Sequence, residues 1–110
     1  NLRLFKHRLL LPAWLDGQAL GLFARNIGWR GEDDGPKEVS VCYPPVPFNA
    51  DALLDAPERV YVTEGAIDCL SMEEMGLRAV AIPGAGAFKP KWAALFDDVP
   101  EVVLALDNDD

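Results

Sequence analysis

Three carboxylates and two glycines follow short apolar segments in the second half of the chain: Glu64, Gly84, Gly86, Asp107 and Asp109. Carboxylate oxygens that meet at one place repel each other, and a divalent cation relieves that repulsion. Oxygen ligands without nearby cysteine or histidine favour Mg²⁺ or Mn²⁺ over zinc. The residue types therefore predict a divalent metal site, provided that the fold brings the acids together.

The elements that must position these residues alternate between strands and helices. Short apolar runs alternate with helical stretches, at 60–63, 66–75, 79–82, 89–96 and 102–106. This alternation is typical of βαβ units around a parallel sheet. Ligands bind beyond the carboxyl ends of such strands, where Glu64, the two glycines and the two aspartates all stand.

The first half of the chain has a β pattern instead. Apolar runs at 8–14 and 19–24 flank Asp16-Gly17, a dipeptide favoured in tight hairpin turns. The alternating segment 39–43 predicts a third strand, and Pro44-Pro45-Val46-Pro47 predicts a connector.

Composition bounds the class of protein. The 110 residues are 50% hydrophobic and 25% charged, which fits one modest domain or two small subdomains and excludes disorder and low complexity. No apolar run is long enough to cross a bilayer, and the start lacks the pattern of a signal peptide. The lone His7 and the two separated cysteines, Cys42 and Cys69, exclude a zinc cage and favour free thiols in a reducing cytoplasm.

Charge is divided unevenly along the chain. The net charge is −8, but residues 1–30 carry five cations and one acid, a net +4. Residues 31–110 carry five cations and seventeen acids, a net −12. Such a division suits solvated faces, and it equally suits a protein that holds a polyanion with one part and metal cations with the other.

Each candidate residue also has a plain structural explanation. An Asp-rich tail is usually solvated, Glu64 and Asp68 could favour a helix N-terminus, and Gly84 and Gly86 could permit a turn. Their shared position at the ends of three strands favours the functional interpretation.

The motifs resemble a known family. Glu64-Gly65-x-x-Asp68 after one strand and Asp107-Asn108-Asp109 after another are similar to the Toprim domain of bacterial and phage primases. Upstream, Arg8-x-x-x-Pro12, Gly21-x-x-x-Arg25 and Lys37 resemble the small β-containing subdomain of the primase core. The resemblance implies an α/β fold, with a Toprim-type parallel sheet and flanking helices preceded by a small β-rich subdomain.

The resemblance also implies domain limits and an activity. A β-rich subdomain and connector would span 1–57, and a C-terminally truncated Toprim domain would span 58–110. The activity would be synthesis of RNA primers on single-stranded DNA by metal-dependent nucleotidyl transfer. No zinc is expected in this fragment. The fragment alone is expected to be inactive.

By the same resemblance, Asp107 and Asp109 would hold Mg²⁺ or Mn²⁺, with Glu64 as a metal-linked or acid–base carboxylate. Gly84 and Gly86 would let backbone N–H groups approach a phosphate. Lys37 would also bind phosphate.

DNA contacts are assigned to Arg25 and Lys37, and support of the site to Gly65 and Asp68. Trp29 is the expected base-stacking residue, whereas Trp14 and Trp92 are expected in the core.

The expected partners are a single-stranded DNA template, nucleoside triphosphates and a replicative helicase, at a cytoplasmic nucleoid or replication fork and not at a membrane. Four alternatives stay open: a Toprim topoisomerase, a Toprim nuclease, a receiver-type signalling domain and a non-catalytic interaction module. A topoisomerase would need a catalytic tyrosine, and the chain has only Tyr43 and Tyr61.

Overall fold

The computed structural model describes residues 7–31, 38–41, 46–82 and 88–106. These residues form two three-stranded sheets, one antiparallel and one parallel. Residues 46–58, which lie between the two sheets in the sequence, are called the linker. The predicted α/β architecture with a β-rich segment in front is confirmed. The boundary at residue 57 stays a prediction.

The antiparallel sheet has the strand order β1 (Arg8–Leu15), β2 (Gln18–Asn26) and β3 (Glu38–Val41). Asp16 and Gly17 connect β1 to β2 with φ angles of 50° and 78°. Positive φ at both central residues is what a tight hairpin turn requires, so the Asp-Gly prediction is confirmed. An irregularity in the pairing lies between Ala13 and Trp14.

The parallel sheet contains β4 (Arg59–Thr63), β5 (Ala79–Ala81) and β6 (Glu101–Ala105), in the order β5-β4-β6. Helix α1 (Ala66–Glu74) connects β4 to β5, and a 3₁₀ helix (Pro90–Phe96) precedes β6. The predicted helix over 89–96 is therefore present but is more tightly wound than an α-helix. Trp92 N–H donates to the Lys89 carbonyl at 2.8 Å, which is a three-residue rather than a four-residue bond.

The linker closes one edge of the parallel sheet. Phe48 and Ala81 exchange two backbone hydrogen bonds of 2.9 and 3.0 Å in an antiparallel bridge. A short 3₁₀ helix (Ala50–Leu53) follows, and the Asp51 carboxylate accepts the Asp16 backbone N–H at 2.6 Å. The linker thus covers the polar backbone of β5 and also holds the hairpin turn.

Two clusters of buried side chains cover the two faces of the parallel sheet. One contains Leu11 and Phe23 from the hairpin together with Phe48, Ala79 and Ala81. The rings of Phe23 and Phe48 meet edge to face at 5.7 Å. The other cluster holds Val60, Val62, Val80, Ile82 and Trp92. Among the described side chains, the first cluster contains residues of both sheets, whereas the second contains none from the hairpin.

The tryptophan predictions have divided outcomes. Trp92 is 2% exposed, so its core position is confirmed. Trp14 is 46% exposed, so the expectation that it lies in the core is wrong. Side chains alternate across a strand, and Leu11 and Ala13 occupy the inward positions of β1, which leaves Trp14 on the other side.

Cys69 is a buried free thiol, as predicted, whereas Cys42 lies outside the described residues. None of the helices in the described ranges is long and apolar enough to cross a membrane.

Candidate functional site

Glu64 stands where β4 ends and the turn into α1 begins. It is half-buried at the carboxyl end of the middle strand of the parallel sheet. The register pairs Thr63 with Ala105, so β6 ends beside the same turn. Asp107 follows Ala105 by two residues in the sequence and lies outside the described residues.

Hydrogen bonds around Gly65 fix this turn. The hydroxyl of Thr63, which is 1% exposed, donates to the Gly65 carbonyl at 2.9 Å. The backbone N–H of Cys69 donates to the same carbonyl at 3.1 Å and begins α1. Glu64 thus lies between two anchored residues. The sequence analysis missed Thr63, although a hydroxyl residue at the last strand position before the turn is a readable signal.

Gly65 provides space for the Asp68 carboxylate. A Cβ atom at position 65 would lie 3.3 Å from Asp68 Oδ2. The φ of Gly65 is −107°, which any residue adopts, so the requirement here is for space. The structure brings Glu64, Gly65 and Asp68 together at the first turn of α1, and the supporting role of Gly65 and Asp68 remains a prediction.

Five of the predicted site residues lie outside the described part of the chain: Lys37, Gly84, Gly86, Asp107 and Asp109. Among the described residues, no group of three or more acids, histidines or cysteines could hold a metal ion. The donor set proposed from the sequence still fits Mg²⁺ in type, because Glu64, Asp107 and Asp109 offer only hard oxygen ligands.

Arg25 lies on β2, opposite Leu9 on one side and Glu38 on the other. It is half-buried and shares a face of the strand with Phe23, two residues earlier. Phe23 belongs to the cluster that also contains Ala66 of α1. The predicted phosphate-binding residue therefore lies on the side of the hairpin that packs against the parallel sheet.

The sequence analysis did not predict a cluster of polar side chains that lies where α1 ends and β5 begins. The Asn49 side-chain amide donates to Glu73 Oε2 at 3.1 Å and to the Ala79 carbonyl at 2.9 Å. The same Glu73 oxygen accepts the Ala79 backbone N–H at 2.9 Å. Asn49 has a φ of 65°, a conformation that asparagine tolerates better than most residues. The cluster ties the linker to the end of α1 and the start of β5.

The Cys69 thiol completes this cluster and donates to the Ala79 carbonyl at 3.3 Å. Burial, with a smaller contribution from the Glu73 carboxylate, raises the pKa of Cys69 to about 12. A thiol that stays protonated is a poor nucleophile, so Cys69 is a structural residue here.

A depression of about 540 Å³ lies at the opposite end of the parallel sheet, lined by Glu58, Arg59, Pro100 and Glu101. Arg59 and Glu101 form an ion pair there. Because these residues belong to the amino ends of β4 and β6, the depression is separate from the Glu64 turn.

Comparison with known proteins matches the second half of the chain to a family. A family model described as Toprim-like matches residues 61–110, which include Glu64, Asp107 and Asp109. Residues 61–110 are a Toprim-like domain. Toprim domains occur in enzymes of nucleotidyl transfer and of nucleic-acid cleavage, and they typically bind Mg²⁺.

A similar curated protein is the "Gene 57 protein" of Mycobacterium phage D29, which is 34% identical over 86 residues. The match covers 76% of this chain and 57% of that protein, so the chain corresponds to little more than half of its relative. No solved structure shows significant similarity to the chain.

Proposed function

We propose that the chain is part of the catalytic core of a DNA primase, which synthesises RNA primers on single-stranded DNA by metal-dependent nucleotidyl transfer. One observation carries the proposal. Glu64 lies in the strand-to-helix turn of a Toprim-like domain, and the neighbouring strand β6 ends beside it, just before Asp107 and Asp109.

Glu64, Asp107 and Asp109 would hold Mg²⁺ or Mn²⁺, which supplies charge neutralisation at the reacting phosphate. Glu64 also has the chemistry to accept a proton from the primer 3′-hydroxyl. The hydrogen bond from Thr63 to the Gly65 carbonyl keeps this carboxylate at a fixed place beyond the strand.

The antiparallel sheet has the role of holding the template. Arg25 lies on its inward face, and Arg25 and Lys37 would contact phosphates of the DNA or of the incoming nucleoside triphosphate. Gly84 and Gly86 would present backbone N–H groups to phosphate. A replicative helicase is the proposed protein partner, at a cytoplasmic replication fork.

The antiparallel sheet and the position of Tyr61 support primer synthesis over DNA cleavage, whereas Tyr43 lies outside the described residues. Tyr61 lies in the middle of β4, half-buried against the first core cluster, and it is two residues before the end of the strand. A topoisomerase nucleophile needs access to the carboxyl edge. A nuclease has no need of the antiparallel sheet that packs against the Toprim-like domain.

The test is Glu64→Gln in the full-length protein. Loss of the carboxylate should lower primer synthesis by about 10²–10⁴-fold, the usual range for an acid–base group. Thermal stability should stay close to the parent, because a Glu at a helix start contributes only about 0.3–1 kcal/mol. Primer synthesis on single-stranded template and a melting curve measure the two effects.

Glu74→Gln is the matched control, since Glu74 is an exposed carboxylate at the other end of the same helix. It should retain the parental rate. Near-parental primer synthesis by the Glu64→Gln protein would contradict the catalytic assignment. Strand cleavage without primer synthesis by the parent would assign the Toprim-like domain to a nuclease or topoisomerase reaction.

A further inference from the structure

Thr63 is the only fully buried polar residue among those that the structure describes. It occupies the last position of β4, after Val60 and Val62, and it is the single threonine of the chain. Burial of a hydroxyl costs free energy unless the hydroxyl forms a hydrogen bond, and valine has nearly the same shape without that cost. The presence of a hydroxyl at this position is therefore explained by the bond that it makes.

The strand does not depend on this hydroxyl. Thr63 pairs with Ala81 of β5 on one side and with Ala105 of β6 on the other. Its carbonyl accepts the Ile82 backbone N–H at 2.8 Å. The backbone of the middle strand is thus held at its carboxyl end by both neighbouring strands, whatever the side chain at position 63.

Helix α1 does not depend on the hydroxyl either. The Gly65 carbonyl accepts the Cys69 backbone N–H at 3.1 Å, which is the first hydrogen bond of the helix. One donor satisfies a buried carbonyl, although its oxygen has two lone pairs. The Thr63 hydroxyl, which donates to the same oxygen at 2.9 Å, is therefore a second donor that this carbonyl does not need.

Glu64 is the residue that this second hydrogen bond spans. The bond joins the side chain of Thr63 to the carbonyl of Gly65, so the backbone is held on both sides of Glu64. The side-chain conformations that a residue can adopt depend on its own backbone angles. A metal-binding carboxylate must be kept close to one geometry by groups that do not themselves touch the metal.

From these contacts we propose that Thr63 is a positioning residue, whose hydroxyl fixes the turn so that the Glu64 carboxylate is held ready to bind a divalent metal ion. The inference rests on the role proposed above for Glu64. It adds a residue that controls the metal site without touching the metal or the substrate. Loss of the hydroxyl leaves the strand and the helix in place and frees the backbone between them.

The experiment measures Mn²⁺ binding to the full-length protein from the electron paramagnetic resonance signal of free Mn²⁺. Thr63→Val keeps the shape and removes the hydroxyl, and it should weaken Mn²⁺ binding about 10-fold, as is usual when a group behind a metal ligand is lost. Thr63→Ser retains the hydroxyl and should bind Mn²⁺ nearly as tightly as the parent. Thr63→Ala also lacks the hydroxyl and should resemble Thr63→Val, so the result does not depend on how well valine packs.

Primer synthesis gives a second measurement. In Thr63→Val, kcat should fall about 10-fold while KM for the nucleotide stays unchanged, because only the placement of Glu64 is altered. A parent that binds Mn²⁺ but makes no primers would contradict the proposed function, and the Mn²⁺ titration would still test Thr63. A parent that does not bind Mn²⁺ would overturn the positioning role together with the metal site.

Val60→Ala is the matched control for general loss of stability, because Val60 is a fully buried residue of the same strand in the other core cluster. It should lower the melting temperature and keep the Mn²⁺ affinity of the parent. Parental Mn²⁺ affinity in folded Thr63→Val and Thr63→Ala proteins would overturn the proposal. Equal weakening in Thr63→Ser and Thr63→Val would also overturn it, because the methyl group and not the hydroxyl would then be the group that matters.

Discussion

The two sheets use apolar residues in opposite ways. In the parallel sheet, β4 and β5 are covered on both faces, because one cluster packs around Ala79 and Ala81 and the other around Val60 and Val80. In the antiparallel sheet, β1 is as apolar as β4, yet Leu11 and Ala13 are buried while Leu9, Leu10 and Trp14 are exposed. Apolar character alone therefore does not indicate which strand is central. The difference shows that burial of a strand depends on what packs against each of its faces.

The largest predicted effect tests whether the two faces of the hairpin differ as described. Phe23 is 1% exposed and packs edge to face on Phe48, so Phe23→Ala removes a buried ring contact between the hairpin and the linker. The free energy of unfolding should fall by about 3–5 kcal/mol. Leu10→Ala, at a 45% exposed position on the opposite face of β1 from Leu11, should change it by less than about 0.5 kcal/mol. Urea titration measures both, and similar losses in the two variants would contradict the assignment of the faces.

A smaller effect is expected where the linker meets the parallel sheet. Asn49→Gly keeps the positive φ but removes both hydrogen bonds donated by the side chain, and it leaves Glu73 with one fewer donor. The free energy of unfolding should fall by about 1–3 kcal/mol.

Asn49→Asp replaces the donating amide with a second carboxylate beside Glu73 and should be less stable than Asn49→Gly at neutral pH. If both variants unfold like the parent, the polar cluster does not hold the linker.

The smallest effect concerns pH. The pKa of Cys69 is raised to about 12 in the fold from a usual value of 9.0, so the unfolded thiol loses its proton first as pH rises. Stability that depends on this group is complete below pH 9 and is lost between pH 9 and 12. At pH 10 the loss should reach about 1 kcal/mol.

The free energy of unfolding of the Cys69→Ala protein should fall less steeply with pH above pH 9 than that of the parent. The difference between the two slopes isolates the contribution of Cys69 from those of other titrating groups. Parallel slopes above pH 9 would show that the thiol is not buried in solution.

The sequence predicted the secondary structure better than it predicted which side chains are exposed. The order of strands and helices, the Asp16-Gly17 turn and the end of α1 before Gly76, which has a φ of 86°, follow from local rules on turns and on positive φ. The position of Glu64 at a strand end follows from the βαβ pattern. The roles of Asp107, Asp109, Gly84, Gly86 and Lys37 stay predictions, since those residues lie outside the described ranges.

Two features depended on tertiary structure. The run Leu9-Leu10-Leu11-Pro12-Ala13-Trp14 has no polar residue to mark a solvent side, so the exposure of Trp14 was decided only by the packing of Leu11 and Phe23 against the linker. Asn49 and Glu73 are 24 residues apart, and no local pattern pairs them. Local sequence determines which segments are strands, helices and turns, because backbone preferences act over a few residues. Contacts between distant segments decide which face of a strand is buried and which polar groups meet.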